Sequence, residues 1–210
     1  MIEEKSDDPH TPEITKAVYS KSADQCVKAY FLGNKPEAEK YFKEVLAPVK
    51  NSYPAVGAVI TQIHGRVVMY SEKEDVPKCY GLCMYESMLT VIERTLGRNH
   101  TSVAAALDLI ARYYDDLHDY KNAIAVRERQ MRILRRAGAE DWRQTQEVLQ
   151  NLAYDYCLIK DYKTAQKLLD ENVTVCKRKN LTATLQNAER LQIQIKRHLD
   201  NANQPARRSR

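Results

Sequence analysis

The stretch Leu107-Asp108-Leu109-Ile110-Ala111-Arg112-Tyr113-Tyr114 lies over Leu149-Gln150-Asn151-Leu152-Ala153-Tyr154-Asp155-Tyr156 without a gap, 42 residues further along the chain. The register persists, since Asp119-Tyr120-Lys121-Asn122-Ala123 falls on Asp161-Tyr162-Lys163-Thr164-Ala165 at the same offset of 42. A self-match at a period of roughly 20–50 residues marks a stacked repeat, whose single unit cannot bury its apolar face and is stable only against neighbours. Such a pattern constrains the architecture more tightly than it constrains the partner.

Each unit reads as two helices joined by a tight turn. Val103, Leu107, Ile110, Ala111, Tyr114 and Leu117 recur at spacings of three and four, the period of one helical face. After a polar turn at His118-Asp119, a second run through Ala123, Val126, Gln130, Ile133 and Leu134 repeats the pattern less cleanly. The small residues Ala111, Ala123, Ala153 and Ala165 fall where two helices must approach closely. Tyr114, Tyr120, Tyr156 and Tyr162 supply large bodies whose hydroxyls can reach a partner at the edge.

Two weaker copies precede these. In Ala29 to Phe42 a glycine (Gly33) occupies the turn, a proline (Pro36) starts the next helix, and Ala38 stands where Ala123 and Ala165 stand later. The following unit pairs a helix over Val56–Tyr70 with one over Val76–Leu96, joined by the charged run Ser71-Glu72-Lys73-Glu74-Asp75, with Cys79 and Leu82 replacing the expected Tyr and Ala. After the fourth hairpin, Leu181, Leu185, Ala188, Leu191, Ile195 and Leu199 form one further apolar stripe, read as a capping helix over the last repeat. The expected organisation is a flexible segment over 1–20, hairpins at about 22–50, 56–97, 101–138 and 143–178, a cap over 181–200, and a basic disordered tail over 202–210.

The run Leu96-Gly97-Arg98-Asn99-His100-Thr101-Ser102-Val103-Ala104, followed by Leu107, Ala111, Tyr114, Tyr120 and Ala123, resembles the tetratricopeptide repeat (TPR) in the 42-residue form of kinesin light chains. Units of that form open on a Leu-Gly-x-Asp-His-Pro-x-Val-Ala phrase. Here Asn99 replaces the Asp, Thr101 replaces the Pro, and the fourth unit opens on Gly138-Ala139-Glu140-Asp141-Trp142 instead. The resemblance implies an all-α, right-handed α-solenoid of about four hairpins with a C-terminal capping helix, acting as a non-catalytic adaptor or scaffold for proteins.

Composition agrees with that expectation. The chain has 210 residues, 43% apolar and 29% charged, with only six glycines, enough for four hairpins and a cap in one elongated domain. No apolar run approaches the roughly 18 residues that a membrane span needs. The start, Met1-Ile2-Glu3-Glu4-Lys5-Ser6-Asp7-Asp8, is acidic where a signal or transit peptide is basic or apolar, so the expected address is the cytoplasm, with cytoskeletal association allowed. Five scattered cysteines fit a reducing compartment. Cys79-x-x-x-Cys83 lacks the ligand number and spacing of a zinc site, and no phosphate loop, dinucleotide fingerprint or zincin motif occurs, so neither a cofactor nor catalysis is expected. The net charge of +5 rests largely on the C-terminal arginines, on Arg127, Arg129, Arg132, Arg135 and Arg136, and on Lys177-Arg178-Lys179. The arginines of the third unit are expected on a solvated outer wall, and with two Phe and one Trp the chain offers few stacking platforms for nucleic acid.

The resemblance directs attention to the inner groove, lined by the first helix of each hairpin. In the light-chain type an Asn just before the Leu-Ala pair grips the backbone of an extended peptide, and Asn151 before Leu152-Ala153 matches it. The matching residue one unit earlier is Leu109, and in the second unit it is Gln62, so the asparagine ladder is broken. One turn further along come Arg66, then Arg112 and Tyr113, then Tyr154 and Asp155. These eight residues are the expected lining, suited to an acidic or extended peptide. The alternative is a permanent structural or regulatory subunit of a large cytoskeletal, axonemal or organellar assembly, its groove filled by a neighbouring chain. A non-catalytic helical domain of a larger enzyme is a third class.

Overall fold

The structure is a computed structural model that describes residues 13–50, 53–73, 79–140 and 142–203. Residues 1–12 of the flexible segment expected over 1–20, Glu74 and Asp75 of the charged connection, Asp141, and residues 204–210 of the basic tail expected over 202–210 lie outside the described residues. Among those described, all regular structure is helical: α1 (Glu13–Phe31), α2 (Lys35–Leu46), α3 (Tyr53–Lys73), α4 (Cys79–Leu96), α5 (Thr101–Asp116), α6 (Tyr120–Arg136), α7 (Arg143–Leu158), α8 (Tyr162–Lys179) and α9 (Thr182–Asn203). The chain divides into two compact units, one ending at Leu96 and the other beginning at Gly97.

In the second unit the repeat is regular because its punctuation repeats. Asp119 and Asp161, 42 residues apart, both cap a helix by accepting a backbone N–H, from Asn122 for α6 and from Thr164 for α8. Asn34 does the same for α2, bonding Glu37. The residue before each cap has positive φ, +79° at Gly33, +57° at His118 and +65° at Lys160. The turn therefore imposes a left-handed residue whether or not a glycine is there, and the two later units tolerate the strain. Replacing either aspartate by alanine is expected to cost about 1 kcal/mol, read by urea unfolding, with Asp→Asn largely preserving stability. An equal loss with Asn would mean that charge and not the side-chain acceptor matters.

Between caps the helices pack α5 on α6, α6 on α7, α7 on α8, and α9 on α8 and α7. Ala111, Ala123, Ala153 and Ala165 are all fully buried, as their place at close helix approaches requires. Ala153, Ala165 and Leu169 form one cluster with Ala188 and Ile195 of α9, and Tyr156 and Tyr162 pack at its border. Helix α9 thus lies on the last hairpin as a cap should.

The first unit departs from this scheme. Helix α1 already begins at Glu13, within the stretch expected to be flexible, and α2 packs on it. Helix α3 lies chiefly on α1, and it meets α4 only over a short stretch, where the reading of 56–97 as one hairpin pairs the two. At their meeting point His64 Nδ1 and the buried Tyr85 hydroxyl lie 2.7 Å apart. In the register that matches Gln62 to Leu109, the His64 ring stands where the regular units have Ala111 and Ala153, and so the close interlock is lost.

Candidate functional site

Helix α7 has one face that its neighbours leave uncovered. Thr145, Gln146, Val148, Leu149, Leu152, Ala153 and Asp155 are buried, whereas Gln144, Asn151, Tyr154 and Leu158 are exposed. These four recur at helical spacing with the half-buried Glu147 among them, which fixes them to one stripe. Tyr154 is 51% exposed. Among the described residues neither the Asn151 amide nor the Tyr154 hydroxyl bonds another protein group. Beside this stripe Gln150 Nε2 donates to the Thr184 carbonyl of α9 at 3.3 Å, and Arg143 Nε pairs with Glu147 at 2.9 Å.

Arg112 of α5 occupies the repeat position of Tyr154, 42 residues earlier, and is also exposed. Its Nε lies 3.2 Å from Asp108 Oδ2, one turn back, a solvent-screened pair that holds the guanidinium only loosely. Tyr113 beside it is half-buried. In the first unit Gln62 is exposed on α3, and Arg66 one turn later is half-buried, donating to Asp24 of α1 and, at 3.1 Å, to the Gln62 carbonyl.

Two of the eight expected lining residues are in the core. Leu109 is buried, as a leucine at the asparagine position should be when its helix is covered there. Asp155 is 1% exposed. Successive helical residues point about 100° apart, so with Tyr154 facing solvent, Asp155 faces α6.

What Asp155 meets there is Arg127, a residue expected on the solvated outer wall and in fact 1% exposed. Arg127 falls on the buried stripe Ala123, Ile124, Arg127, Gln130, Met131 and Leu134, in phase with the core. Its Nη1 donates to Asp155 and, at 3.0 Å, to Asp115 Oδ1, while Nη2 donates to the other Asp115 oxygen. One cation thus ties the ends of α5 and α7 to α6 between two carboxylates. Burial pushes the Asp155 carboxyl up to about 7; Arg127 pulls it down and the Asp115 charge adds to the rise. An acid whose pKa is higher folded than unfolded binds its proton more tightly when folded, so its contribution is full below the unfolded value near 3.8 and is lost as pH rises through about 7. The stability difference between about pH 5.5 and pH 8, measured by urea unfolding, should accordingly shrink in Asp155→Asn, whose amide does not titrate there. An unchanged difference would show that Asp155 is ionised throughout.

Elsewhere the chemistry is sparse. Cys26 and Cys176 are buried, and burial drives the Cys26 thiol up to about 12, which keeps it from acting as a nucleophile. Among the described residues no group of His, Cys, Asp and Glu could hold a metal ion, and no helix is long and apolar enough to cross a membrane. The Cys79 side chain lies outside them.

No family model and no curated protein sequence matches the chain. Among solved structures, it is similar to BtubC (BKLC) from P. vanneervenii, with a TM-score of 0.52 and 15% identity over 96% of this chain and 88% of that one. It is also similar to a Podosopora anserina protein described as a kinesin light chain with nearly identical TPR-like repeats, with a TM-score of 0.51 and 15% identity over 93% of this chain and 100% of that one. A point variant of the latter gives 0.52 and 15% over 91% and 95%. At such identity the likeness concerns the fold, which is an all-α solenoid of the TPR type.

Proposed function

We propose that the chain is a non-catalytic, cytoplasmic interaction module whose second unit holds an extended peptide segment of a protein partner along the open face of α7. The observation that carries this reading is the pair Asn151 and Tyr154, exposed one turn apart with unused hydrogen-bonding groups on a helix whose opposite face is buried. An amide can donate to and accept from an extended backbone at once, and a half-exposed tyrosine offers a large contact surface at low entropic cost. Arg112 at the neighbouring repeat position favours an acidic side chain in the segment. The TPR-type fold supports the reading because its stacked helices present such faces as a continuous wall.

The test is panning of a random peptide display library on the purified chain, followed by titration of the selected peptides against variants. Asn151→Ala and Tyr154→Ala should each weaken binding by about 1–3 kcal/mol without lowering stability. Arg112→Glu should give the more salt-sensitive loss. If Arg132→Glu, on the exposed side of α6, is the damaging change instead, the open face of α7 is not the interface. A permanent subunit of a larger assembly is the second reading, favoured by the exposed Leu158 and Ile159 that end α7. It requires self-association of the isolated chain in sedimentation, suppressed by Leu158→Ser.

A further inference from the structure

The first unit contains a cleft of about 200 Å³ where α4 stands off α1 and α2. Its walls are apolar and soft: Tyr30, Phe42, Met84, Met88 and Val91 are all buried side chains that face it. Methionine thioethers adapt to irregular aliphatic shapes, and a concave apolar volume with a few polar groups at its mouth is the usual form of a small-molecule site. The mouth carries Lys35 of α2 and Arg94 of α4, with Glu39 between them. Glu39 is engaged mainly by Lys43 at 2.9 Å and reaches Arg94 only at 3.9 Å, so the rim keeps a positive excess.

The polar lining discriminates between occupants. Ser87 and Thr90 hydroxyls already donate to carbonyls of their own helix, at 2.9 Å to Cys83 and 2.9 Å to Glu86. Among the described residues no asparagine or glutamine lines the cleft, so nothing there suits the regular donors and acceptors of a peptide backbone. We infer that this cleft is a binding site for a free aliphatic carboxylate, its chain among Met84, Met88 and Phe42 and its head group at Lys35 and Arg94. Such a ligand needs few hydrogen bonds, one cationic contact and an apolar sleeve, which is what the lining offers. Binding is noncovalent, since a free carboxylate offers the Cys26 thiol at the wall no electrophile. The site is independent of the open face of α7.

The experiment titrates octanoate, below its micelle-forming concentration, into chain labelled with [13C]methyl methionine, followed by NMR. Octanoate should shift the Met84 and Met88 methyls and leave Met131 in place. Octylamine, with the same chain and the opposite head charge, should bind at least about tenfold more weakly. Arg94→Glu, at a side chain 71% exposed and hence harmless to folding, should weaken octanoate about tenfold. Glu39→Gln, which removes the competing carboxylate, should tighten it. Thr90→Trp, built on an exposed position at the mouth, should abolish the methyl shifts while the far-ultraviolet circular dichroism stays helical. Equal binding of octylamine, unmoved methionine methyls, or full binding by Thr90→Trp would each overturn the proposal. Tighter occupation of the same methyls by an amidated leucine-rich peptide would overturn it in favour of a peptide site.

Discussion

Replacing Arg127 by methionine is expected to destabilise the second unit by about 3–5 kcal/mol, because it strips a buried carboxylate of its cation. Arg127 is 1% exposed and bonds both Asp115 and Asp155, so methionine fills part of the volume but leaves two acids facing each other across α6. The pair itself need not be worth that much, since the loss measures an uncompensated charge and not the strength of the bridge. Two consequences separate this account from a simple packing defect. Adding Asp155→Asn to Arg127→Met should recover much of the loss, whereas two independent packing defects would add. The Arg127→Met defect should also be smaller at about pH 5.5 than at pH 8, because Asp155 then takes a proton in the folded state. Urea unfolding followed by fluorescence of Trp142, the chain's one tryptophan and a residue of the second unit, reads both. A loss under about 1 kcal/mol would mean that the cluster is solvated and that burial does not control it.

The sequence reveals the second unit well because a repeat is written twice. Caps Asp119 and Asp161, left-handed positions His118 and Lys160, and the buried alanines all recur at the 42-residue offset, so each copy supports the other. Arg127 escapes that logic, since Leu169 holds its repeat position and the charge type argues for solvent. Its phase on the helix points the other way, and phase prevails when two acids from neighbouring helices can satisfy the guanidinium. Asp155 is misplaced for a related reason: counting one turn along α7 picks out Tyr154 and Asp155 together, although adjacent residues cannot share a face. In the first unit the two copies are too divergent to check each other, as Cys79 and Leu82 at the expected Tyr and Ala positions show. Whether α3 closes on α4 depends on side-chain volumes at one crossing, His64 against Tyr85, and a one-residue pattern of apolar and polar types carries no volume information. The cleft beside Met84 and Met88 is invisible to sequence on the same ground.

Truncating Leu169 to alanine is expected to cost about 2–5 kcal/mol, the range for a buried leucine whose surroundings relax only in part. Leu169 is fully buried, and its cluster partners Ala153, Ala165 and Ala188 are already minimal side chains. Small residues hold three helices at close approach here, so Ile195 and the bordering Tyr156 and Tyr162 can fill the void only in part without moving a backbone. The loss should also reach the capping helix, because Ala188 and Ile195 bring α9 onto this same cluster. Hydrogen exchange should show α9 amides losing protection along with those of α8, in advance of α5. Leu158→Ala serves as the control, since Leu158 is 38% exposed on α7 and should cost well under half as much. If Leu169→Ala is no worse than Leu158→Ala, or if α9 exchanges as before, then α9 is held by something other than this cluster and the terminal repeat is not sealed by it.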